Sequence, residues 1–531
     1  MLSQKYISLF FAFVSISAMM LSAQTFDVRA FGAKGDGITN DRAAIQRAVD
    51  SCSRNGGTVL FPSGKYLTGS IDLKSNVDLH LQRGSVILGS TDLRQYAERI
   101  PKLRSYNDLF LKYSLFYAEG MTNISIRGEG TIDGQGTAFP VTTKVKPDRY
   151  MNRPYVIRFV QCSNIKIEGI TMQNSAMWMQ QYLACDGLSI RGITVYNHAN
   201  MNNDMMDIDG CKNVIVSDCI GDTEDDALTL KSTSEYITEN VSITNCVVSS
   251  HCNAIKTGTE STGGFKNITI SNIVVKPSAN PVAKVGFPAG ISGISLTNVD
   301  GGILENITIS NVSMDGPQVP IYIRLGNRAR KHRPDAVTPR IGTANGITIS
   351  GVTAVNTGSI GCSITGVPGG IVENIRLENI SITAKGGGTP ADAVKVIPES
   401  ETEYPESTGW GTLPAYGFML RHVKNISLTN VRVRCRTADG RPAVIADDVD
   451  GLTLDRFTAN AAGRTASFLN LNDVKNASVI SSRTESPADL FVRVTGPRSE
   501  RITLFGNILT DVKRSFDAPR EGIVTEEGTV R

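Results

Sequence analysis

The most regular feature of this chain is a short alternation of apolar and polar positions that recurs along most of its length. A unit such as Asn164-Ile-Lys-Ile opens with a turn residue, continues as apolar-x-apolar, and repeats that run after a polar pair. Two-residue alternation rich in β-branched residues predicts strands, not helices. The units begin at Asn123, Asn164, Gly187, Asn213, Asn240, Asn267, Asn306, Gly346, Asn374, Asn425, Gly451, Asn476 and Arg501.

The spacing of these units predicts the architecture. Successive starts from Asn164 to Asn267 lie 23, 26, 27 and 27 residues apart. A fixed period in this range is typical of a solenoid, and about 25 residues folded as two or three short strands form one rung of a parallel β-helix. We therefore expect an all-β parallel β-helix whose turn asparagines stack on one another, because Asn tolerates left-handed backbone.

The start of the repeat array needs a cap, because its first rung has an open edge. Asn40-Asp41 is a predicted helix start, and Gly56-Gly57 is the predicted end. The apolar face of this short N-terminal helix comprises Ala44, Ile45, Ala48 and Val49. Such a helix can close the open end of the coil.

Several segments interrupt the repeat and are predicted loops. Residues 135–153 are rich in turn formers, and later unit spacings of 39, 40 and 51 residues place insertions within 276–300, 315–345 and 385–418. Loops carried by a rigid coil commonly determine binding specificity.

The first 23 residues read as a targeting segment. Lys5 precedes an apolar run from Ile7 to Leu21, and small Ser22-Ala23 precede Gln24. A run of about fifteen apolar residues is too short for a typical membrane span. We predict a signal peptide over 1–23, a single β-helix domain over 24–531, and a secreted or periplasmic location.

Charge and cysteine content narrow the partners. The net charge is only +3 and no block of like charge occurs, which disfavours a nucleic-acid partner. We find no other segment of membrane length and therefore expect no insertion into membranes. We also expect a monomer. The nine cysteines largely follow the phase of the repeat, which indicates buried, stacked thiols instead of disulfides.

Candidate chemistry concentrates between Asn202 and Lys256. Asp204 lies 21 residues before Asp225, and His251 lies 25 residues after Asp226, close to the repeat period. If one period is one rung, these side chains lie above one another, with rungs about 4.8 Å apart. Because neighbouring acids cannot share one strand face, we expect a bend at 224–226 that turns both to the surface.

A cluster of aligned carboxylates is repulsive unless one acid stays protonated or a cation lies among them. The first outcome provides the acid and base that hydrolyse a glycosidic bond. The second describes a calcium-dependent polysaccharide lyase. A catalytically silent carbohydrate-binding or adhesin-like β-helix, with a solvated acidic patch, is the alternative from another class.

These residues carry a family resemblance. Gly35-Asp36-Gly37, the segment from Gly169 to Ser175, Asn202-x-Asp204 and Asp225-Asp226 resemble glycoside hydrolase family 28, the polygalacturonase and rhamnogalacturonan hydrolase family. The resemblance implies a right-handed parallel β-helix of the pectin lyase-like type. It also implies inverting hydrolysis of a pectic polysaccharide or oligosaccharide, endo or exo, without metal or cofactor.

The resemblance also implies roles. Asp225 is the expected general acid, Asp204 and Asp226 are expected to hold and deprotonate the attacking water, and His251 is expected to support the acid. Further expected substrate contacts are Trp178, Asn203, Asp207, Lys231, Asn253, Lys256, Arg324 and Arg328.

The sequence departs from the family pattern in three places. Glu224 replaces the usual glycine before the two aspartates, and Ser250 and Cys252 replace the glycines around His251. The Arg-x-Lys that binds a uronate carboxylate in typical polygalacturonases is missing from Gly290–Leu296. Any carboxylate contact must therefore come from other basic residues.

Overall fold

A computed structural model describes residues 24–531 and has the predicted architecture, a parallel β-helix. Within that range every pairing between named strands is parallel, and the alternating apolar positions point into one continuous core. The predicted signal peptide lies outside the described residues. Nowhere in 24–531 does a helix have both the length and the apolar character needed to cross a membrane.

The strands fall into three consecutive groups. The first comprises β1 (Thr25–Asp27), β2 (Asp36–Asn40), β3 (Gly57–Phe61), β4 (Gly64–Thr68), β5 (Ile71–Asp72), β6 (Val77–Leu81), β7 (Ser85–Gly89), β8 (Ser114–Glu119), β9 (Thr122–Gly128) and β10 (Thr131–Asp133). The second comprises β11 (Tyr155–Val160), β12 (Ser163–Glu168), β13 (Thr171–Gln173), β14 (Gln180–Leu183), β15 (Asp186–Arg191), β16 (Thr194–Asn197), β17 (Met206–Asp209), β18 (Lys212–Ser217), β19 (Ile220–Thr223), β20 (Leu228–Ser232), β21 (Thr238–Ser250) and β22 (Asn253–Ser261). The third comprises β23 (Gly264–Val275), β24 (Ser292–Asn298), β25 (Ile303–Asp315), β26 (Val319–Leu325), β27 (Thr343–Thr357), β28 (Cys362–Thr365), β29 (Val372–Gly386), β30 (Phe418–Thr437), β31 (Val444–Asp455), β32 (Thr458–Asn460), β33 (Leu469–Ile480), β34 (Arg483–Thr484), β35 (Ala488–Thr495), β36 (Glu500–Phe505), β37 (Val512–Asp517) and β38 (Val524–Glu527).

Successive rungs place equivalent strands side by side. β14, β17, β20, β22, β24 and β26 pair in that order and form one face of the coil. In this face Ile208 aligns with Leu230 and points inward, whereas Asp207 aligns with Thr229 and Lys256 on the outer side. The predicted phase of the repeat is therefore confirmed where the candidate site lies.

The N-terminal helix α1 (Arg42–Asn55) is confirmed, and its buried face contains the four predicted apolar residues. Its start differs in detail from the prediction. The Asp41 carboxylate accepts hydrogen bonds from Lys34 N and Gly35 N, while Asn40 Oδ1 accepts from Arg42 N at 3.0 Å. Asp41 thus fixes the preceding turn, and Asn40 serves the first helical turn.

The predicted ladder of turn asparagines is present. Asn123 and Asn164 have φ of 58° and 52°, and Asn164 Nδ2 donates to Asn123 Oδ1 at 2.7 Å. Asn267 and Asn306 continue the stack at 2.9 Å between amides. All nine cysteines are buried and free within the described chain, which agrees with stacked thiols.

The interruptions of the repeat are loops, as predicted. The segment between β10 and β11 contains only two short 3-10 turns, Gly136–Ala138 and Asp148–Tyr150. The three later insertions occupy 276–291, 326–342 and 387–417, and the last contains the 3-10 turn Asp392–Val394. The remaining 3-10 turns are Val28–Phe31 and Leu93–Gln95.

Candidate active site

The candidate acids lie in one turn that recurs on neighbouring rungs. Asp204 precedes β17, and Asp225 and Asp226 lie in the bend between β19 and β20. The turns are joined by their backbones, since Met205 N donates to Asp226 O at 2.9 Å. Ala227 N in turn donates to Asn253 O at 2.9 Å on the next rung. The bend predicted at 224–226 is present, and it brings the acids together.

The three carboxylates form a tight cluster. One oxygen from each of Asp204, Asp225 and Asp226 lies within 4.8 Å of the others. Burial, followed by repulsion from Asp226, raises the pKa of Asp225 to about 6. Burial and the nearby Asp207 and Asp225 raise the pKa of Asp204 well above its usual value. Two of the three acids therefore retain protons to higher pH than an exposed aspartate.

Asp226 is held in a different environment. Its Oδ2 lies 2.8 Å from Lys256 Nζ, and its Oδ1 accepts a hydrogen bond from Asn253 Nδ2 at 2.8 Å. The cluster thus contains one carboxylate paired with an ammonium beside two carboxyl groups whose pKa is raised by burial.

A second cation lies on the neighbouring wall. Lys231 Nζ lies 3.5 Å from Asp207 Oδ1, 3.4 Å from Glu260 Oε2 and 4.5 Å from the centre of the Trp178 ring. Trp178 is only 7% exposed and packs edge-on against Tyr155 at 5.9 Å. It therefore lines the cavity and also packs against residues of the neighbouring loops.

One cavity contains the acid cluster together with residues that the sequence did not single out. Asp204, Asp225, Asp226, Lys231, Lys256 and Trp178 line it, as the sequence predicted. Asn202, from the Asn202-x-Asp204 motif, also lines it, and the additional polar lining residues are Tyr106, Asn107, Lys146, Arg149, Tyr150, Thr259, Glu260, Arg330, Tyr404 and Glu406. Most of these lie on the interrupting loops, where no periodic pattern identifies them.

His251 does not enter this cavity, so any support that it gives to Asp225 is indirect. Its Nδ1 lies 3.0 Å from Glu224 Oε2, and its Nε2 lies 2.8 Å from Asn280 O. His198 packs beside it and lies 2.9 Å from Asp222 Oδ1. Although burial opposes protonation, hydrogen bonds to Asp222 and Glu224 raise the pKa of His198. The two imidazoles therefore support the acid-bearing bend from behind through Glu224.

Asn203, Asp207 and Asn253 are also corrected from substrate contacts to buried supports. Asn203 Nδ2 donates to Ser175 O at 2.9 Å and to Met177 O at 3.0 Å. Asp207 is fully buried beside Lys231, and burial raises its pKa well above the usual range. Asn253 is occupied by Asp226. None of these three side chains lines the described cavity.

Arg324 and Arg328 hold loops in place. They too are therefore corrected from expected substrate contacts to structural supports. Arg324 donates to Gly366 O at 2.8 Å and contacts the Trp410 ring at 5.1 Å. Arg328 Nε donates to Asp300 Oδ1 at 2.9 Å, and its Nη2 donates to Thr259 O at 2.8 Å. Arg324 lies on β26, and a long insertion covers its outward side chain.

Two sets of side chains in residues 24–531 have the donor types of a cation site. They are Asp204 with Asp225 and Asp226, and His198 with Glu224 and His251, each with ligand atoms within 4.8 Å. In the first set the Lys256 ammonium already lies against Asp226. In the second, protons on the imidazoles can balance the Glu224 charge.

The protein is a parallel β-helix with a cluster of carboxyl groups in a polar cavity, and its sequence matches a family of such proteins. Glycosyl hydrolases family 28 matches residues 58–402, more than half of the chain. The chain therefore belongs to glycosyl hydrolases family 28, a family of glycoside hydrolases. A second family, rhamnogalacturonase A/epimerase, pectate lyase-like, matches residues 25–82.

Individual relatives agree with this assignment. A probable polygalacturonase of Vitis vinifera is 31% identical over 226 residues, covering 41% of this chain and 46% of the relative. The exo-poly-alpha-D-galacturonosidase of Dickeya chrysanthemi is 36% identical over 121 residues, covering 21% of this chain and 20% of the relative. These matches thus span less than half the length of either curated relative.

A solved structure supports the fold. The exopolygalacturonase from Thermotoga maritima superposes with a TM-score of 0.56 at 20% identity, covering 75% of this chain and 91% of that one. At this level of identity the similarity shows the shared fold.

Proposed function

We propose that this protein hydrolyses glycosidic bonds in a pectic polysaccharide. The observation that carries the proposal is the close cluster of three carboxyl groups, one paired with an ammonium and two with a raised pKa. Asp225, with a pKa raised to about 6, is suited to protonate the leaving oxygen. Asp226, paired with Lys256 at 2.8 Å, is suited to accept a proton from water.

Asp204 is assigned to the attacking water in this proposal. The residue is only 2% exposed, and its Oδ1 has no hydrogen-bond partner among the described residues. A buried oxygen without a partner is costly unless a bound molecule satisfies it. A water or sugar hydroxyl held between Asp204 and Asp226 would satisfy this oxygen.

Inversion at the anomeric carbon is proposed from family membership. The nearest oxygens of the three acids lie within 4.8 Å, whereas carboxyl groups of inverting pairs are typically about 6.5–9.5 Å apart. Because the 4.8 Å limit joins single oxygens, the separation between whole carboxyl groups is larger, and inversion is the course that we propose. Proton NMR of the first product gives the anomer directly.

Pectic substrates and exo action are proposed from two sources. The names of the Vitis and Dickeya relatives refer to galacturonan cleavage, and the Dickeya relative is an exo-acting enzyme. The interrupting loops contribute Lys146, Arg330, Tyr404 and Glu406 to the cavity wall. Loops that close one side of a cleft favour binding of chain ends over internal segments.

Product analysis tests the function. Homogalacturonan and rhamnogalacturonan are incubated with the protein side by side, and products are separated by anion exchange and mass spectrometry. We expect new reducing ends, release of short products from chain ends, and no unsaturated sugar absorbing in the ultraviolet. Unsaturated products that disappear with chelator would establish the lyase alternative instead.

We also propose that residues 24–531 form one exported domain that acts as a monomer. This proposal extends the signal-peptide prediction, and the continuous core from α1 to β36 supports the single domain. N-terminal sequencing of the protein recovered outside the cytoplasm should begin at Gln24. Light scattering should give the mass of one chain.

A further inference from the structure

Some of the basic side chains that line the cavity are paired with acids of the protein, and others are not. Five acidic and five basic side chains line it: Asp204, Asp225, Asp226, Glu260 and Glu406, with Lys146, Arg149, Lys231, Lys256 and Arg330. Lys256 pairs with Asp226 at 2.8 Å, and Arg330 pairs with Glu260 at 2.7 Å. Lys231 also lies 3.4 Å from Glu260. Three of the five cations are therefore neutralised by the protein itself.

The other two cations, Lys146 and Arg149, form no ion pair with a carboxylate anywhere in residues 24–531. Partial burial of the ammonium and the neighbouring Arg149 lower the pKa of Lys146, so these two charges repel each other. The Arg149 Nε is enclosed and has no hydrogen-bond partner within the same range. Positive charge held in this way favours an anionic ligand.

Two of the remaining acids supply less negative charge than exposed acids do. Burial raises the pKa of Glu406 to about 7, and burial also raises the pKa of Asp204 well above its ordinary value. Both carboxyl groups therefore ionise less readily than exposed ones. The side of the cavity formed by Lys146 and Arg149 thus remains electropositive.

Both cations lie against aromatic rings that orient them in the cavity. Arg149 lies 5.0 Å from the centre of the Tyr150 ring. Lys146 lies 5.3 Å from the Tyr404 ring, which Lys256 approaches from another direction at 6.0 Å. Tyr404 therefore connects the loop that carries Lys146 with the cation that holds Asp226.

Arg149 is also connected to the candidate acid. Its Nη2 donates to Asn202 Oδ1 at 3.3 Å, and Asn202 Nδ2 donates to Asp225 Oδ2 at 3.3 Å. Arg153 Nη2 donates to the same Asn202 oxygen at 3.1 Å and fixes its orientation. An anion bound to Arg149 would therefore lie only one side chain away from Asp225.

We propose that Lys146 and Arg149 form a subsite for the carboxylate of a uronic acid residue next to the bond that is cleaved. This proposal rests on the proposed function and places substrate selection on the 135–153 loop. Guanidinium and carboxylate groups match in geometry as well as charge, and the adjacent ammonium adds a second positive charge. Arg330, held by Glu260, also lines the cavity.

The test compares a galacturonic acid oligosaccharide with the same oligosaccharide after its carboxyl groups have been reduced to neutral alcohols. The ratio of kcat/KM for the charged over the reduced substrate is measured for the native protein and for Lys146→Met and Arg149→Gln. Lys144→Met is the matched control, because Lys144 is exposed on the same loop and does not line the cavity. Circular dichroism and thermal unfolding confirm that each variant is folded.

We expect the ratio to fall about 10- to 100-fold in each cavity variant, as for loss of a charge-assisted hydrogen bond. The ratio should stay unchanged in Lys144→Met. An equal loss on both substrates, or an unchanged ratio in both cavity variants, would overturn the subsite. If the native protein releases no reducing ends from either substrate, the proposed function itself fails, and this outcome is distinct from loss of selectivity alone.

Discussion

Two edges of the same coil stack like residues in opposite ways. At one edge Asn123, Asn164 and their successors form a ladder in which each amide donates to its neighbour. At the other edge Asp204, Asp225 and Asp226 bring together carboxylates, which cannot satisfy one another without protons or cations. The first stack stabilises the fold, whereas the second holds buried carboxyl groups close together, as is typical of functional sites.

This difference gives the prediction with the largest effect. Asp225→Asn and Asp226→Asn should each lower kcat about 10²- to 10⁴-fold, the usual contribution of a general acid or base. The variants should remain folded, because Asn replaces Asp without a change in volume. Initial rates of reducing-end release measure the loss.

The control is Asp218→Asn, which makes the same change in a different turn of the same rung, between β18 and β19. Asp218 accepts a hydrogen bond from Asn245 at 3.3 Å and lies outside the cavity. Its activity should match that of the native protein. Full biological function in Asp225→Asn would instead support a carbohydrate-binding protein without catalysis.

The support beneath the acid bend gives the next largest effect, this time on stability. His251→Ala should lower the free energy of unfolding by about 1–3 kcal/mol, because it removes one hydrogen-bond partner of the buried Glu224 carboxylate. Urea unfolding measures this change. A lowered kcat with unchanged KM would agree with a positioning role, whereas unchanged stability would contradict the buried pair.

The raised pKa of Asp225 predicts how activity depends on pH. Because the acid must be protonated, kcat/KM should fall about tenfold per pH unit above an apparent pKa near 6. The profile is measured at constant ionic strength. A constant rate from pH 5 to about 9 would contradict Asp225 as the proton donor.

The same shift predicts a stability change of definite sign. A folded-state pKa above the ordinary value means that Asp225 stabilises the fold below about pH 4 and loses that contribution as pH rises through 6. Asp225→Asn removes the group, so it should raise the melting temperature more at pH 8 than at pH 4. An equal change at both values would contradict the shift.

A smaller effect is expected at the amide edge. Asn267→Ala should lower the free energy of unfolding by about 1–2 kcal/mol. It removes two ladder hydrogen bonds, and at φ 54° it replaces Asn, which tolerates left-handed backbone, with Ala, which does not. Activity should be unchanged, since this edge lies away from the cavity. Asn267→Gly, which tolerates that backbone, should recover part of the loss in urea unfolding.

The smallest effect is expected from metal removal. Lys256 already supplies positive charge to Asp226, so dialysis against EDTA should leave the hydrolysis rate unchanged. Addition of calcium should likewise have no effect. A rate that disappears with chelator and returns with calcium would favour the lyase alternative.

The fold and the position of the acids could be predicted because both depend on the repeat. The period aligned the turns, and alternation placed Lys231 and Lys256 on the outer face with the acids. Trp178 was likewise identified near the site. Local pattern is sufficient wherever neighbouring rungs alone determine the environment.

The errors occur where long insertions fold back over the coil. Arg324 was expected to contact substrate, but it donates to backbone carbonyls of the 387–417 insertion, which covers it. The same insertion brings Tyr404 and Glu406 to the cavity, although both are far from Asp225 in sequence. His251 lies on the expected turn, but its side chain contacts Glu224, the residue that replaces the usual glycine of the family. Such long-range packing has no periodic signal.

The most direct test of the central claim is the kcat of the double variant Asp225→Asn/Asp226→Asn beside the two single variants. Residues that act together on one bond lose most of their effect when either is removed, so the double variant should be about as slow as the slower single variant. A rate reduced by the product of the two separate losses would show that these acids work independently and would contradict the stacked acid–base site.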